Sequence, residues 1–310
     1  MKENDTLAIS FIGQFIHLGH TMKNTTTTAE SPVHFSSTTE VGRIQEYLFH
    51  YSEINIDIPG TLEVTFPRIG YLVLYVMSGD TFVQRFLNYH QSPSLLNRFY
   101  INGLFSEGSL AIQQSGRGGG YAVKVHPVIG YYLLKFPLSK LTNQQVLLGE
   151  ALAEEGKLLR ELEADLLLHP FENMYFQQFF EKILPDKSTY QNDPIYHAVN
   201  TIIERKGKIA VTELSKEFSM SERTLRRQFL LKVGLSPQAY AKIWQVQHVM
   251  ELLLGNPTSS LDNIAYDAGY YDVAHLSRDF RNKVSFTPSE LHERRNGLNE
   301  HYLKSPSSFK

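Results

Sequence analysis

The chain has 310 residues, 42% of them hydrophobic and 20% charged, with no cysteine and a formal net charge of -2 at pH 7. That length accommodates about two domains, and the absence of thiols excludes disulfides, thiolate metal sites and cysteine nucleophiles. The near-neutral total conceals an asymmetry: from Asp193 onward 16 lysines and arginines face 13 acids, and before it 14 face 19, so the C-terminal part is the one suited to a polyanion.

In chain order, the apolar piece Leu7 to Ile16 follows Glu3 and Asp5 and is followed by no small-residue cleavage site. It is too short to span a bilayer and is read as part of the fold, so no membrane partner and a cytoplasmic location are expected. Asn24 to Glu40 is rich in Ser and Thr and reads as a loop or mobile arm. Further on, Ile54 to Ile58 alternates apolar and polar residues, and Tyr71 to Met77 is an apolar run of strand length. Tyr121 to Val125 and Tyr131 to Phe136 are aromatic and β-branched runs interrupted by Pro127 and Gly130, and they too read as strands. Residues 1–140 are therefore expected to form a β-rich barrel or sandwich. The glycine-rich stretch 115–120 lacks the Lys-Ser/Thr ending of a phosphate loop and reads as a hairpin turn. His17 and His20 have no third and fourth ligand at metal spacing. No metal and no cofactor are expected, and acidic pairs at hydrolase spacing are missing.

From about Leu141 the period becomes helical. Leu152, Leu158, Leu159, Leu162 and Leu166 are interleaved with acids and bases, and Phe176, Phe179, Phe180 and Ile183 mark a second amphipathic piece. The segment 141–184 is expected to cover a core or to couple and dimerise the protein. Residues 185–192, polar and rich in helix breakers, are expected to be a linker.

The remainder reads as wholly helical. Asp193 and Pro194 make an N-cap and first-turn pair, followed by Ile195, Ala198, Val199, Ile202 and Ile203 on one face. A helix Val211 to Phe218 with Thr212 as its cap, a turn at Ser219 and Met220, and a helix Glu222 to Val233 capped by Ser221 come next. A long helix opened by Pro237 runs to about Leu254, with Trp244 in its packed spine. Leu261 to Leu291 then repeats helix, turn and helix: Leu261, Ile264, Ala265 and Ala268 share a face, Gly269 turns the chain, and Asp272 caps the helix carrying Leu276 and Phe280. Leu225, Arg227, Phe229, Lys232, Val233 and Pro237 recur 51 positions later as Leu276, Arg278, Phe280, Lys283, Val284 and Pro288, whereas Leu214 and Ser215 recur 50 later as Ile264 and Ala265. The second turn is thus one residue longer than the first, and the chain carries a duplicated unit.

Ile264-Ala265, Gly269-Tyr270, Asp272, Ser277-Arg278, Phe280-Arg281 and Thr287-Pro288 stand at spacings that resemble the DNA-binding domain of the AraC/XylS family of bacterial transcription regulators. The resemblance covers residues 193–296, about a third of the chain. It implies two helix-turn-helix units joined by one long helix, entering successive major-groove segments about 34 Å apart. The sequence departs from the family at Ser285, where a glycine is usual, and at Gln245, Val249 and Leu291. Residues 67–70 and 135–142 also resemble N-terminal domains fused to such readers, whose habit is a cupin-like sensing barrel.

The expected fold is therefore α+β: a β-rich, cupin-like sensor over 1–140, helices over 141–184, a linker over 185–192, the all-α DNA-binding domain over 193–296 and a polar tail over 297–310. By position in each second helix, Arg223, Thr224, Arg226 and Arg227 of the first unit and Val273, Ala274, His275, Ser277 and Arg278 of the second are the candidate DNA-binding residues. An arginine there pairs bidentately with guanine or sits on a phosphate, and the sequence leaves both open. The function implied is a transcription regulator, by family habit an activator, and not an enzyme. Double-stranded promoter DNA is the expected partner; RNA polymerase, a small-molecule effector and a second copy of the chain are further candidates. The alternative is a β-barrel enzyme or ligand-binding protein with a DNA-binding tail. A DNA-repair methyltransferase is excluded because no cysteine is present to accept the alkyl group.

Overall fold

The computed structural model describes residues 33–36, 48–67, 70–79, 82–87, 94–96, 99–106, 108–152, 155–169, 173–255, 259–284 and 287–293. The apolar piece at 7–16, His17, His20, Ser285 and the tail 297–310 lie outside them, as does the Ser/Thr-rich stretch apart from 33–36.

The N-terminal half contains one antiparallel sheet of eight described strands: β1 (Val33–Ser36), β2 (Leu48–Pro67), β3 (Leu72–Gly79), β4 (Phe82–Leu87), β5 (Ser94–Leu96), β6 (Phe99–Asn102), β7 (Ser109–Val125) and β8 (Gln145–Leu147). The order is β1-β2-β7-β3-β6-β8, with β4 on β7 and β5 on β4. The long pair β2 and β7 is the spine, and β7 gives its other edge to β4 at one end and β3 at the other. The glycine-rich stretch is not the hairpin turn its composition predicts: it runs inside β7, where Gly118, Gly119 and Gly120 pair with Gly79, Ser78 and Met77. The reason is close approach, since a Cβ on Gly120 would overlap the Val76 carbonyl.

The run Tyr131 to Phe136 is no strand: Tyr131 to Leu134 lie in a helix, and Lys135 and Phe136 form the turn that ends it. Helix α1 (Pro127–Leu134) starts with a proline in its first turn and with His126 Nδ1 accepting from Val128 N at 3.1 Å, and it stops at Lys135 in the left-handed region. Burial of Val128, Ile129, Leu133 and Leu134 outweighs the strand preference of its aromatic and β-branched residues. The helical region expected from 141 begins instead with β8, an edge strand on β6, followed by α2 (Leu148–Ala151), α3 (Gly156–Leu168) and α4 (Asn173–Ile183). The stretch 185–192 is no open connector: it forms α5 (Lys187–Gln191), capped by Asp186, with Tyr190 buried.

The helical domain follows as α6 (Pro194–Glu204), α7 (Val211–Glu217), α8 (Glu222–Lys232), α9 (Pro237–Gly255), α10 (Leu261–Asp267), α11 (Val273–Val284) and α12 (Pro288–Glu293). Ala210, not Thr212, occupies the cap position of α7 and makes no side-chain cap bond. This domain shares a core with the sheet. Tyr240 of α9 donates to the Gly70 carbonyl at 2.9 Å, and Trp244 stands edge-on to Tyr71 with ring centroids 5.1 Å apart. Any side chain at Gly70 would overlap the Trp244 indole.

Two polar groups complete the junction. Asp193, 4% exposed, uses Oδ1 to cap α6 through Ile195 N at 2.9 Å. Its Oδ2 accepts from Tyr132 of α1 at 2.8 Å and from Lys232 of α8 at 2.5 Å, while the Lys232 ammonium lies 5.9 Å from the Tyr131 and Tyr132 ring centroids. Partial desolvation and the Asp193 hydrogen bond push the Tyr132 phenol up to about 12, which keeps it a donor. His126 is buried against the Tyr196 ring of α6, and desolvation pulls it down to about 3, the Asn200 side chain acting the other way.

Asp193→Asn keeps the cap acceptor but removes the charge, and should lower the unfolding free energy by about 2 kcal/mol; a double-mutant cycle with Lys232→Met that shows no coupling would contradict the pairing. For His126, the unfolded chain binds the proton below its ordinary value of 6.5 and the folded chain only below about 3. Stability therefore rises with pH across that window, by about 1.4 kcal/mol per unit at most for one proton. Denaturant titrations from pH 4 to 7 should show this slope reduced in His126→Asn, and an unchanged slope would count against it.

Candidate nucleic-acid interface

The two units are built alike. Ser219 and Gly269 both take positive φ, +52 and +77 degrees, and the next amide reaches back in each, Met220 N to Ser215 O at 2.9 Å and Tyr270 N to Ala265 O at 2.8 Å. The caps follow suit: Ser221 Oγ accepts from Thr224 N at 3.1 Å, and Asp272 Oδ1 from His275 N at 2.6 Å. The register passes from 50 to 51 between these two landmarks, so Tyr271 is the additional residue of the second turn. It is 93% exposed.

In α8, Leu225 and Phe229 are buried, which turns Arg223, Arg226 and Arg227 outward. Arg223 and Arg227 have no ion pair among the described residues. Arg226 is paired with Glu222 one turn earlier at 2.6 Å. Both partners are more than a third exposed, so the pair is worth a fraction of a kcal/mol and yields readily to a phosphate. The Thr224 hydroxyl is engaged with Ser221 Oγ at 2.9 Å and belongs to the helix start.

In α11, Leu276, Phe280 and Val284 are buried, and Ala274, His275 and Arg278 are exposed. Val273 and Ser277 are half-buried, with Val273 packed on the core. The His275 ring stands edge-on to Tyr270 at 5.2 Å. None of the nine candidate residues is buried. An arginine on such a face can make a bidentate pair with guanine O6 and N7 or a charge-assisted bond to phosphate, and Ala274 offers an apolar contact for a thymine methyl. Among the described residues no group of acids and histidines is placed to hold a metal, and no helix is long and apolar enough to cross a membrane.

A network behind the second unit went unread in the sequence. The Gln245 carboxamide of α9 donates to the carbonyls of Ala268 at 2.8 Å and Gly269 at 3.4 Å, and Lys208 Nζ donates to Asp267 O at 3.0 Å. Lys242 donates to Gln245 Oε1 at 2.8 Å and pairs at 3.1 Å with Asp279 of α11, which also accepts from Tyr270 at 2.7 Å. Lys242 lies 4.5 Å from the Tyr270 ring centroid. Buried and capped by a carboxylate, the Tyr270 phenol is held well above its ordinary range. In the sequence Gln245 shows only as a departure from the family pattern.

Residues 214–294 match the model of a helix-turn-helix domain. The HTH-type transcriptional activator RhaS of Escherichia coli is 34% identical over 88 residues, 27% of this chain and 30% of that protein, so the chain spans less than a third of the length of these curated relatives. Among solved structures, ToxT of Vibrio cholerae is similar over 81% of this chain and 100% of its own at 11% identity and a TM-score of 0.44. A probable AraC family transcriptional regulator of Rhodopseudomonas palustris is similar over 32% of this chain and 96% of its own, at 28% identity and a TM-score of 0.28. With the duplicated units, their joining helix and the match over 214–294 in view, the C-terminal part of the chain carries a helix-turn-helix domain similar to the one matched in RhaS.

Proposed function

We propose that the chain is a sequence-specific DNA-binding transcription regulator, an activator, which reads two successive major-groove segments of promoter DNA under the control of a signal at its N-terminal domain. The observation that carries this reading is the pair of recognition helices on one joining helix, each with buried hydrophobic positions and an outward basic face. The relatives that share the domain are activators by name over the matched part of their length. Within this reading Arg223, Arg227 and Arg278 contact bases or phosphates, Arg226 contacts phosphate after leaving Glu222, and Ala274 and Val273 meet methyl groups. The sheet domain serves as a cupin-like sensor for a small-molecule effector, and α3 and α4 couple that sensor to a second copy or to the reader. A cytoplasmic location and RNA polymerase as a further partner complete the proposal.

Arg227→Ala and Arg278→Ala should each weaken binding to the selected promoter duplex by about 1–3 kcal/mol at fixed salt, with thermal midpoints unchanged. Wild-type affinity in both variants would sink the assignment. Footprinting should show two protected stretches about one helical turn apart, and protection confined to a single groove segment would contradict the two-unit reading.

A further inference from the structure

The Lys208–Gln245 contacts join three bodies that the duplicated pattern treats as separate. Lys208 lies on the loop between α6 and α7, just ahead of the first unit; Gln245 lies on α9; the carbonyls they hold belong to Asp267, Ala268 and Gly269, at the end of α10 and in the turn of the second unit. Helix ends leave carbonyls without an internal partner, and a cation is favoured at that end. Here the donors come from outside the unit. In the first unit, no side chain among the described residues donates to the equivalent carbonyls of Glu217, Phe218 and Ser219. The same network continues through Lys242 to Asp279, on the second recognition helix itself. Apolar packing between α9 and the second unit tolerates rotation and sliding, whereas hydrogen bonds to three successive carbonyls do not.

We propose that Gln245 and Lys208 are positioning residues that fix the offset between the two recognition helices, and with it the separation of DNA segments that the protein accepts. This rests on the reading of both units as DNA readers. A recognition helix whose partner is held rigidly must find its segment at one spacing and one helical phase. Releasing the three carbonyls leaves the second unit held by its apolar contacts and the Lys242–Asp279 pair, and the spacing requirement relaxes.

The probe is the duplex that the full-length wild-type chain selects from a random pool, with versions in which the interval between the two protected stretches is lengthened or shortened by one base pair. The wild type should lose at least about tenfold in affinity on each altered duplex, and the double variant Gln245→Ala, Lys208→Met less than about threefold. On a duplex carrying only the second stretch the two proteins should agree within about twofold. Gln245→Arg, which still donates to the carbonyls, should restore the discrimination. Gln245→Glu, equal in shape but without the donor, should behave as the alanine variant does, and it stands in if the double variant does not fold. Wild-type discrimination in both the double variant and Gln245→Glu would overturn the proposal, and so would an equal loss on every duplex, the single stretch included. Failure of the underlying reading has a separate signature: Arg227→Ala and Arg278→Ala would bind every duplex as the wild type does.

Discussion

The burial of α9 is the constraint on which the rest of the molecule depends. Tyr240, Ala241, Ile243, Trp244, Val246, Val249, Met250 and Leu253 are all removed from water along one helix, and each of the large side chains contributes on the order of 1.5–3 kcal/mol. A helix buried on nearly every face, Gln247 and His248 included, has to be enclosed by other elements. Here the sheet domain covers it at Tyr240 and Trp244, and both helix-turn-helix units pack on it. Neither unit has a core of its own of comparable size, so the helix that separates the two units is also the body that folds them.

Burial of this kind selects which surfaces meet without setting their angle, because the hydrophobic effect has no direction. Direction comes from a few buried or half-buried polar groups. Asp193 ties α1 of the sheet domain to the last turn of α8 with one carboxylate, and the Gln245 carboxamide with the Lys242–Asp279 pair does the same for the second unit. The first tie runs from the sheet domain to α8, and the second from α9 to α11 and the turn before it.

The helix-turn-helix units were legible in the sequence because helices announce themselves locally. Ser221 and Asp272 as caps, Leu225 with Phe229 and Leu276 with Phe280 at a spacing of four, and the shift from 50 to 51 all follow from short-range rules. Legibility ended where long-range packing decides. Tyr131 to Phe136 has strand composition, but Tyr131 to Leu134 lie in a helix because Pro127 and His126 start one and the core buries its apolar side. The glycines at 118–120 read as a turn, yet they run inside β7, and at Gly120 β3 comes too close for a side chain. Tyr190 anchors a polar stretch as a short helix by burying its one ring. Asp193 was recognisable as a cap from Pro194 beside it, but nothing local tells that its second oxygen serves a tyrosine 61 positions earlier and a lysine 39 later.

Trp244 is the only tryptophan in the chain and it lies in the seam between the sheet domain and α9, 4% exposed, with its ring edge-on to Tyr71. Indole emission responds to polarity and to the closeness of other aromatic groups, and every photon this protein emits from tryptophan originates at that junction. The molecule therefore carries an intrinsic optical reporter of how the joining helix is seated, one that needs no label and receives no background from a second site.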